Sequence, residues 1–282
     1  MQGIDVRSLL LSAAVAAIVG LAVVYGSGQI PARQAPAQDG PQSANSATGQ
    51  SAGNGIASLD SDEIGPLVRE YLINNPDVLL EVQSALELRQ EAERREMVAS
   101  VIAEREDDLF NSSMDIALGN PQGDVTVVEF FDYNCSYCKR AHQDMVDIIA
   151  NDPNVRFVLK EFPILGPDSL EAHRVSMALR LVAPQHYETF HNTLIAGSAR
   201  ADAARALAIA EELGVSPEAL TARLDDPAIE ASINEAYELA NALGISGTPS
   251  YVLRDDTVFG AQGAEVLEQK IANLRTCDSA NC

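Results

Sequence analysis

Residues 125–140 read VTVVEFFDYNCSYCKR. VTVVEFF is a nearly unbroken apolar run rich in β-branched and aromatic side chains, which predicts a buried strand of a parallel or mixed sheet. It stops at Asp132-Tyr133-Asn134, which is turn chemistry. Beyond the turn, Ala141, Met145, Ile148 and Ile149 recur at helical spacing. Cys135 and Cys138 therefore stand at a strand-to-helix junction, with Cys135 beside the first unpaired helical N–H groups. Those groups and the positive end of the helix dipole favour a thiolate, and Lys139 and Arg140 add nearby positive charge. Cys135 is expected to be a low-pKa nucleophile, reachable from solvent and a ready leaving group. Cys138, one turn in, is expected to be the less exposed, resolving thiol. Glu129 interrupts the apolar strand on the same face as Phe131. A buried carboxylate is costly without a role or a partner, and one beneath a dithiol can pass protons as Cys138 opens and closes a disulfide.

The neighbouring stretches continue the pattern. Residues 111–123 form a connector with a short edge strand at 115–118, and Pro121 and Gly123 mark the turn into the cysteine-bearing strand. VRFVLKE at 155–161 is the next strand, which makes β–α–β. A block of helices follows over 164–243, with Ser216 as the cap of one of them. GISGTP at 244–249 puts two glycines and a proline before SYVL, a tight, fixed loop entering a strand. Asp255-Asp256 supports a hairpin to TVFG, and residues 264–276 close the chain as an amphipathic helix.

LGNPQG (118–123), VVEFFDYNCSYCKR (127–140), KEFPILGPDS (160–169) and GISGTPSYVL (244–253), in that order, resemble the bacterial DsbA-like thioredoxin-fold thiol–disulfide oxidoreductases. The subgroup most resembled, Com1-like and ScsC-like, carries an extra N-terminal helical segment, and the likeness spans residues 60–274. It implies an α/β, thioredoxin-like domain over 111–276 with an inserted helical domain at 164–243. It also implies a cis Thr248–Pro249 bond beside the dithiol, where Thr248 and Pro249 position an extended client chain by a form of strand addition. The same resemblance implies clients that contain cysteine, a separate membrane protein that reoxidises or reduces the dithiol, and N-terminal segments that assemble as dimers or trimers. No metal or organic cofactor is required for this chemistry.

The N-terminal part is read from its composition. Residues 8–25 contain eighteen residues without a charge, about 27 Å as a helix against a hydrocarbon core of roughly 30 Å. Arg7 in front and no basic residues just behind favour an exported remainder, so residues 1–25 are a transmembrane anchor or a cleaved signal peptide. The expected location is periplasmic or extracytoplasmic, with tethering to the inner membrane by residues 8–25. Residues 26–58 are Gly, Pro, Ala, Ser and Gln with few large apolar groups, a disordered linker. Residues 59–110 are helical, broken at Asn74-Asn75-Pro76. Their middle, ELRQEAERREM, is nearly all polar and held by pairs such as Glu91–Arg95. A long helix so thin in apolar side chains either packs on the catalytic domain as a hairpin or serves self-association as homodimer or homotrimer; the second is preferred.

Whole-chain composition removes several functions. There are 41 acidic and 19 basic residues, a net charge of -22, which repels phosphate and argues against a nucleic-acid partner. Tryptophan is absent and aromatic residues are few, a poor basis for a carbohydrate platform. His142, His173, His186 and His191 read as packing or surface residues, although His142 is placed to tune the field along the active helix. Cys277 and Cys282, in the tail 277–282, form a small disulfide, remain free thiols, or make a second redox centre. Together with Cys135 and Cys138 they could instead ligate a metal, a weaker reading because Cys135 is placed for reactivity. Within the redox reading, Ser136-Tyr137 and Thr248 look isomerase-like, whereas disulfide formation is the broader role of the family resembled. A scaffold with an incidental dithiol is the remaining alternative.

Overall fold

The computed structural model describes residues 61–282, with side chains from residue 64 onward. The expected anchor or signal at 1–25 and linker at 26–58 lie outside the described residues. Among the described residues no helix is long and apolar enough to cross a membrane.

β1 (Ile116–Gly119), β2 (Val125–Phe131), β3 (Val155–Glu161), β4 (Ser250–Val252) and β5 (Thr257–Phe259) form one mixed sheet in the order β1-β3-β2-β4-β5. β2 and β3 run parallel in register, Val125 beside Val155 through Phe131 beside Glu161, joined by α4 (Ser136–Asn151). The other pairings are antiparallel. This is a thioredoxin-like α/β arrangement. β2 is central and buried on both faces, which its unbroken apolar run requires. Val127 and Phe131 belong to one core, with Met145, Ile148, Val175 and Phe190; Val128 and Phe130 belong to the other, with Leu239, Val252, Val98 and Ile102. The LGNPQG connector must pass very close to β3. Gly119 has φ +78°, and a Cβ there would fall 2.7 Å from the Val155 carbonyl oxygen, so only glycine fits.

Five helices lie between β3 and β4: α5 (Pro167–Val182), α6 (Tyr187–Ala196), α7 (Ala203–Glu212), α8 (Pro217–Thr221) and α9 (Pro227–Ala242). The Ser216 hydroxyl accepts the Ala219 N–H and caps α8, as its position before Pro217 predicts. α10 (Ala264–Cys277) closes the fold by burying Leu267 and Ile271.

Upstream, α1 (Ser61–Asn74), α2 (Asp77–Glu104) and α3 (Glu106–Phe110) break at the predicted Asn-Pro step and again at Arg105. The last turns of α2 bury Val98 and Ile102 in the core. The polar middle carries Arg94 and Arg95 on Glu91, each at 2.8 Å. Earlier, Leu79, Val82, Leu86 and Leu88 are all at least half exposed, as are Leu67 and Tyr71 of α1. The buried Lys160 joins these parts: its ammonium meets Asp115 at 2.6 Å and Glu235 of α9 at 2.7 Å, and donates to the Asp108 carbonyl oxygen.

Candidate active site

Cys135 is the N-cap of α4. Its extended backbone, φ -75° and ψ 115°, turns the sulfur back over the helix start, where Sγ accepts the Cys138 N–H at 3.4 Å. The Cys138 side chain first, then the Thr248 hydroxyl and the Cys138 and Tyr137 N–H groups, hold the Cys135 thiol down at about 5 against the opposing effect of burial. In its protonated form Sγ also donates to the Thr248 carbonyl oxygen at 3.1 Å. Cys138 is the opposite case. Burial first, then its contact with Cys135 and the charge of Glu129, push its thiol far above the ordinary range. One sulfur is therefore ionised at neutral pH while its neighbour keeps its proton.

The sequence predicts an openly reachable Cys135, and here the structure differs in degree. Cys135 keeps 6% of its surface exposed and Cys138 1%. The Thr248–Pro249 loop, with a cis peptide bond, lies over the Cys135 sulfur. Tyr137, two residues after Cys135, and Leu165, whose N–H is bonded to the Asp132 carboxylate of the same turn, are both well exposed.

Glu129 sits on β2 between Leu159 and Tyr251 of the neighbouring strands. Burial, then the negative charge of Cys135 and of Asp144, raise its carboxyl to about 8. It therefore holds a proton at neutral pH, and it is close enough to Cys138 to raise that thiol. All five predicted site residues, Glu129, Cys135, Cys138, Thr248 and Pro249, meet at the C-terminal end of β2.

Residues that sequence reasoning did not single out hold the turn. The buried Asp132 carboxylate accepts from the N–H of Asn134 at 2.8 Å, of Ile164 at 2.9 Å and of Leu165 at 3.0 Å, and from the Ser169 hydroxyl at 2.8 Å. The Asn134 side chain donates to Ser169 Oγ and to the Ala201 carbonyl, and accepts the Ala201 N–H. The KEFPILGPDS stretch is thus the second wall of the cysteine turn. His173 and His191, read from sequence as ordinary packing residues, are buried directly against Tyr133. Cys277 and Cys282 are joined as a disulfide, so they bring no thiolate to Cys135 and Cys138, and among the described residues no cluster of potential metal ligands occurs.

A thiolate at a helix N-terminus, a covered partner thiol and a buried acid on a thioredoxin-like sheet define a thiol–disulfide oxidoreductase. The comparisons agree: residues 126–272, more than half of the chain, match the DSBA-like thioredoxin domain, and the chain belongs to that family. Residues 60–93 match the copper resistance protein ScsC N-terminal domain. Among solved structures, a thioredoxin-like oxidoreductase from Silicibacter pomeroyi is 42% identical with TM-score 0.58, the match covering 61% of this chain and 98% of that one. The thiol-disulfide exchange protein alpha-DsbA2 of Wolbachia pipientis is 28% identical with TM-score 0.59, covering 64% and 98%. BcfH of Salmonella enterica Typhimurium is 25% identical with TM-score 0.62, covering 73% and 92%. A curated protein, the Na(+)/H(+) antiporter NhaA 1 of Salinispora arenicola, is 23% identical over 155 residues, 55% of this chain. The match spans only 24% of the antiporter's length.

Proposed function

We propose that this chain is an exported enzyme that forms disulfides in client proteins by dithiol–disulfide exchange through Cys135 and Cys138. The observation that carries the direction is the placement of Cys135 Sγ at the N-cap of α4, accepting the Cys138 N–H and lying against Thr248, which favours its thiolate. A thiolate held by hydrogen bonds stabilises the reduced enzyme, and the oxidised enzyme has no thiolate to stabilise, so electrons are drawn from the client to Cys135. A client thiolate attacks Cys135 Sγ of the disulfide and displaces Cys138, which takes a proton that Glu129 can supply. A second client thiolate then breaks the mixed disulfide, leaving Cys135 as the thiolate. The client's backbone takes the place beside Thr248 and Pro249, which accounts for a nucleophile so nearly covered in the free protein. A membrane redox protein would remove the electrons, and residues 8–25 would place the domain outside the cytoplasm, either as an anchor or as a signal.

A second reading, an oligomeric disulfide isomerase, is favoured by one feature. The apolar stripe Leu79, Val82 and Leu86 on α2 has the three-and-four spacing of a helix seam and stands exposed. Residues 59–110 would pair copies of the chain as dimer or trimer through it. The experiment that separates the readings changes Leu79 and Leu86 to Glu together and measures mass by light scattering, then client oxidation and disulfide shuffling. The disulfide-forming reading expects oxidation to be kept within about twofold in the monomer. Loss of shuffling with assembly would favour the isomerase. An unchanged mass would remove self-association through this stripe.

A further inference from the structure

The turn that carries Cys135 is bonded to a chain of buried polar groups that the exchange steps leave unused. Tyr133, two residues before the nucleophile, donates its N–H to His173 Nε2 at 3.3 Å. A backbone N–H can only donate, so Nε2 offers a lone pair and the ring proton lies on Nδ1. Nδ1 is 2.7 Å from Glu161 Oε2 and donates to it. Glu161 Oε1 accepts from the Ser176 hydroxyl at 2.7 Å and the Tyr187 hydroxyl at 3.1 Å. Since Ser176 has one proton and gives it to Glu161, the Tyr133 hydroxyl, 2.9 Å away, must donate to Ser176. His191 Nδ1, 3.2 Å from the same phenol oxygen, must then donate to Tyr133. Every group in the chain is buried, and His173 and Tyr133 are wholly so.

We propose that His173 is a positioning residue for disulfide exchange: a neutral acceptor, oriented by Glu161, that fixes the turn so that Cys135 Sγ faces the free N–H groups of α4. This rests on Cys135 being the nucleophile. Three backbone N–H groups of the turn are tied: Tyr133 to His173, Asn134 to the Asp132 carboxylate, and Cys135 to the Asp132 carbonyl at 3.0 Å; only the first is held by a group outside the turn. A buried N–H without an acceptor is unfavourable, so removing Nε2 makes the turn rotate toward another partner. The Sγ contact to the Cys138 N–H is already long at 3.4 Å, and a small rotation breaks it. A histidine that only filled space would affect stability and leave the sulfur's ionisation alone.

The test uses the full chain, reduced, with the ultraviolet absorbance of the thiolate followed against pH. His173→Phe is expected to raise the Cys135 midpoint by about one unit, a ~tenfold smaller ionisation constant, and to slow the reaction of oxidised glutathione with Cys135 at neutral pH. His173→Gln, whose Oε1 can stand where Nε2 stood, is expected to restore the midpoint. A folded Phe variant with an unmoved midpoint overturns the proposal, as does a folded Gln variant shifted as far as Phe. Should the Phe variant not fold, nitrogen NMR of the unsubstituted protein decides: His173 protonated on Nδ1 alone supports the proposal, and any other state overturns it. Failure of the unsubstituted enzyme to exchange disulfides would instead sink the functional reading, while the thiolate and NMR results still judge His173.

Discussion

Serine in place of Cys135 is expected to bring disulfide transfer by the full chain down to the uncatalysed rate, whereas serine in place of Cys138 leaves the first attack intact and traps it. The asymmetry follows from the two environments. Cys135 Sγ is stabilised as an anion by the Cys138 side chain, the Thr248 hydroxyl and the first N–H groups of α4, so in the proposed exchange it is both the nucleophile of the reduced enzyme and the leaving group of the mixed disulfide. Cys138 is covered and keeps its proton, so its task is to resolve. With Cys138→Ser the reduced enzyme attacks a client disulfide and stays attached. Non-reducing electrophoresis should show adducts that collapse on adding a small thiol, and none with Cys135→Ser. Adducts of equal amount from the Cys135→Ser protein would mean that the second sulfur is the reactive one.

Glutamine in place of Glu129 is expected to stabilise the reduced protein at neutral pH while slowing the steps in which Cys138 gains or loses a proton. The carboxyl has an ordinary value of 4.5 and is raised to about 8 in the fold. Below pH 4.5 both folded and unfolded chains hold the proton, and there is no penalty. Between the two values the unfolded chain has released its proton and the folded one has not, so stability falls as pH rises, and the loss is complete above about 8. At pH 7 the loss is ~3 kcal/mol, at ~1.4 kcal/mol per pH unit. Glutamine cannot ionise, so the variant should be more stable by about that amount at neutral pH, with the gap closing toward pH 4.5. Denaturant unfolding of both reduced proteins across this range checks it. A gap independent of pH would show that Glu129 is ionised throughout and has a partner in the fold.

Most of the site was legible because its chemistry is local. The run VTVVEFF, the turn and the helix that follows are consecutive, and together they place Cys135, Cys138 and Glu129 without reference to the rest of the chain. The Thr248–Pro249 loop lies more than a hundred residues away, and its place beside Cys135 came only through the family resemblance. The walls of the turn were not legible. Asp132 reads locally as a turn residue, yet three of its four hydrogen bonds go to Ile164, Leu165 and Ser169. His173 and His191 carry no spacing that marks them, because their partners are Tyr133 in the turn after β2 and Glu161 on β3, and only the packing of α5 and α6 brings them together. The near-burial of Cys135 has the same origin: a helix N-terminus reads as open until the loop that covers it is in place. For α2 the polar middle was legible in the sequence, but the burial of its end was not: Val98 and Ile102 are buried by the sheet and α9, which only the fold brings to them.

The whole account depends on the ionisation of one sulfur atom, and a titration of the reduced enzyme reads it directly. Thiolate absorbance followed from pH 3 to pH 10, with Cys135→Ser as the blank, should rise with a midpoint of about 5. A midpoint near ~8.5, the ordinary value of a free cysteine, would contradict it.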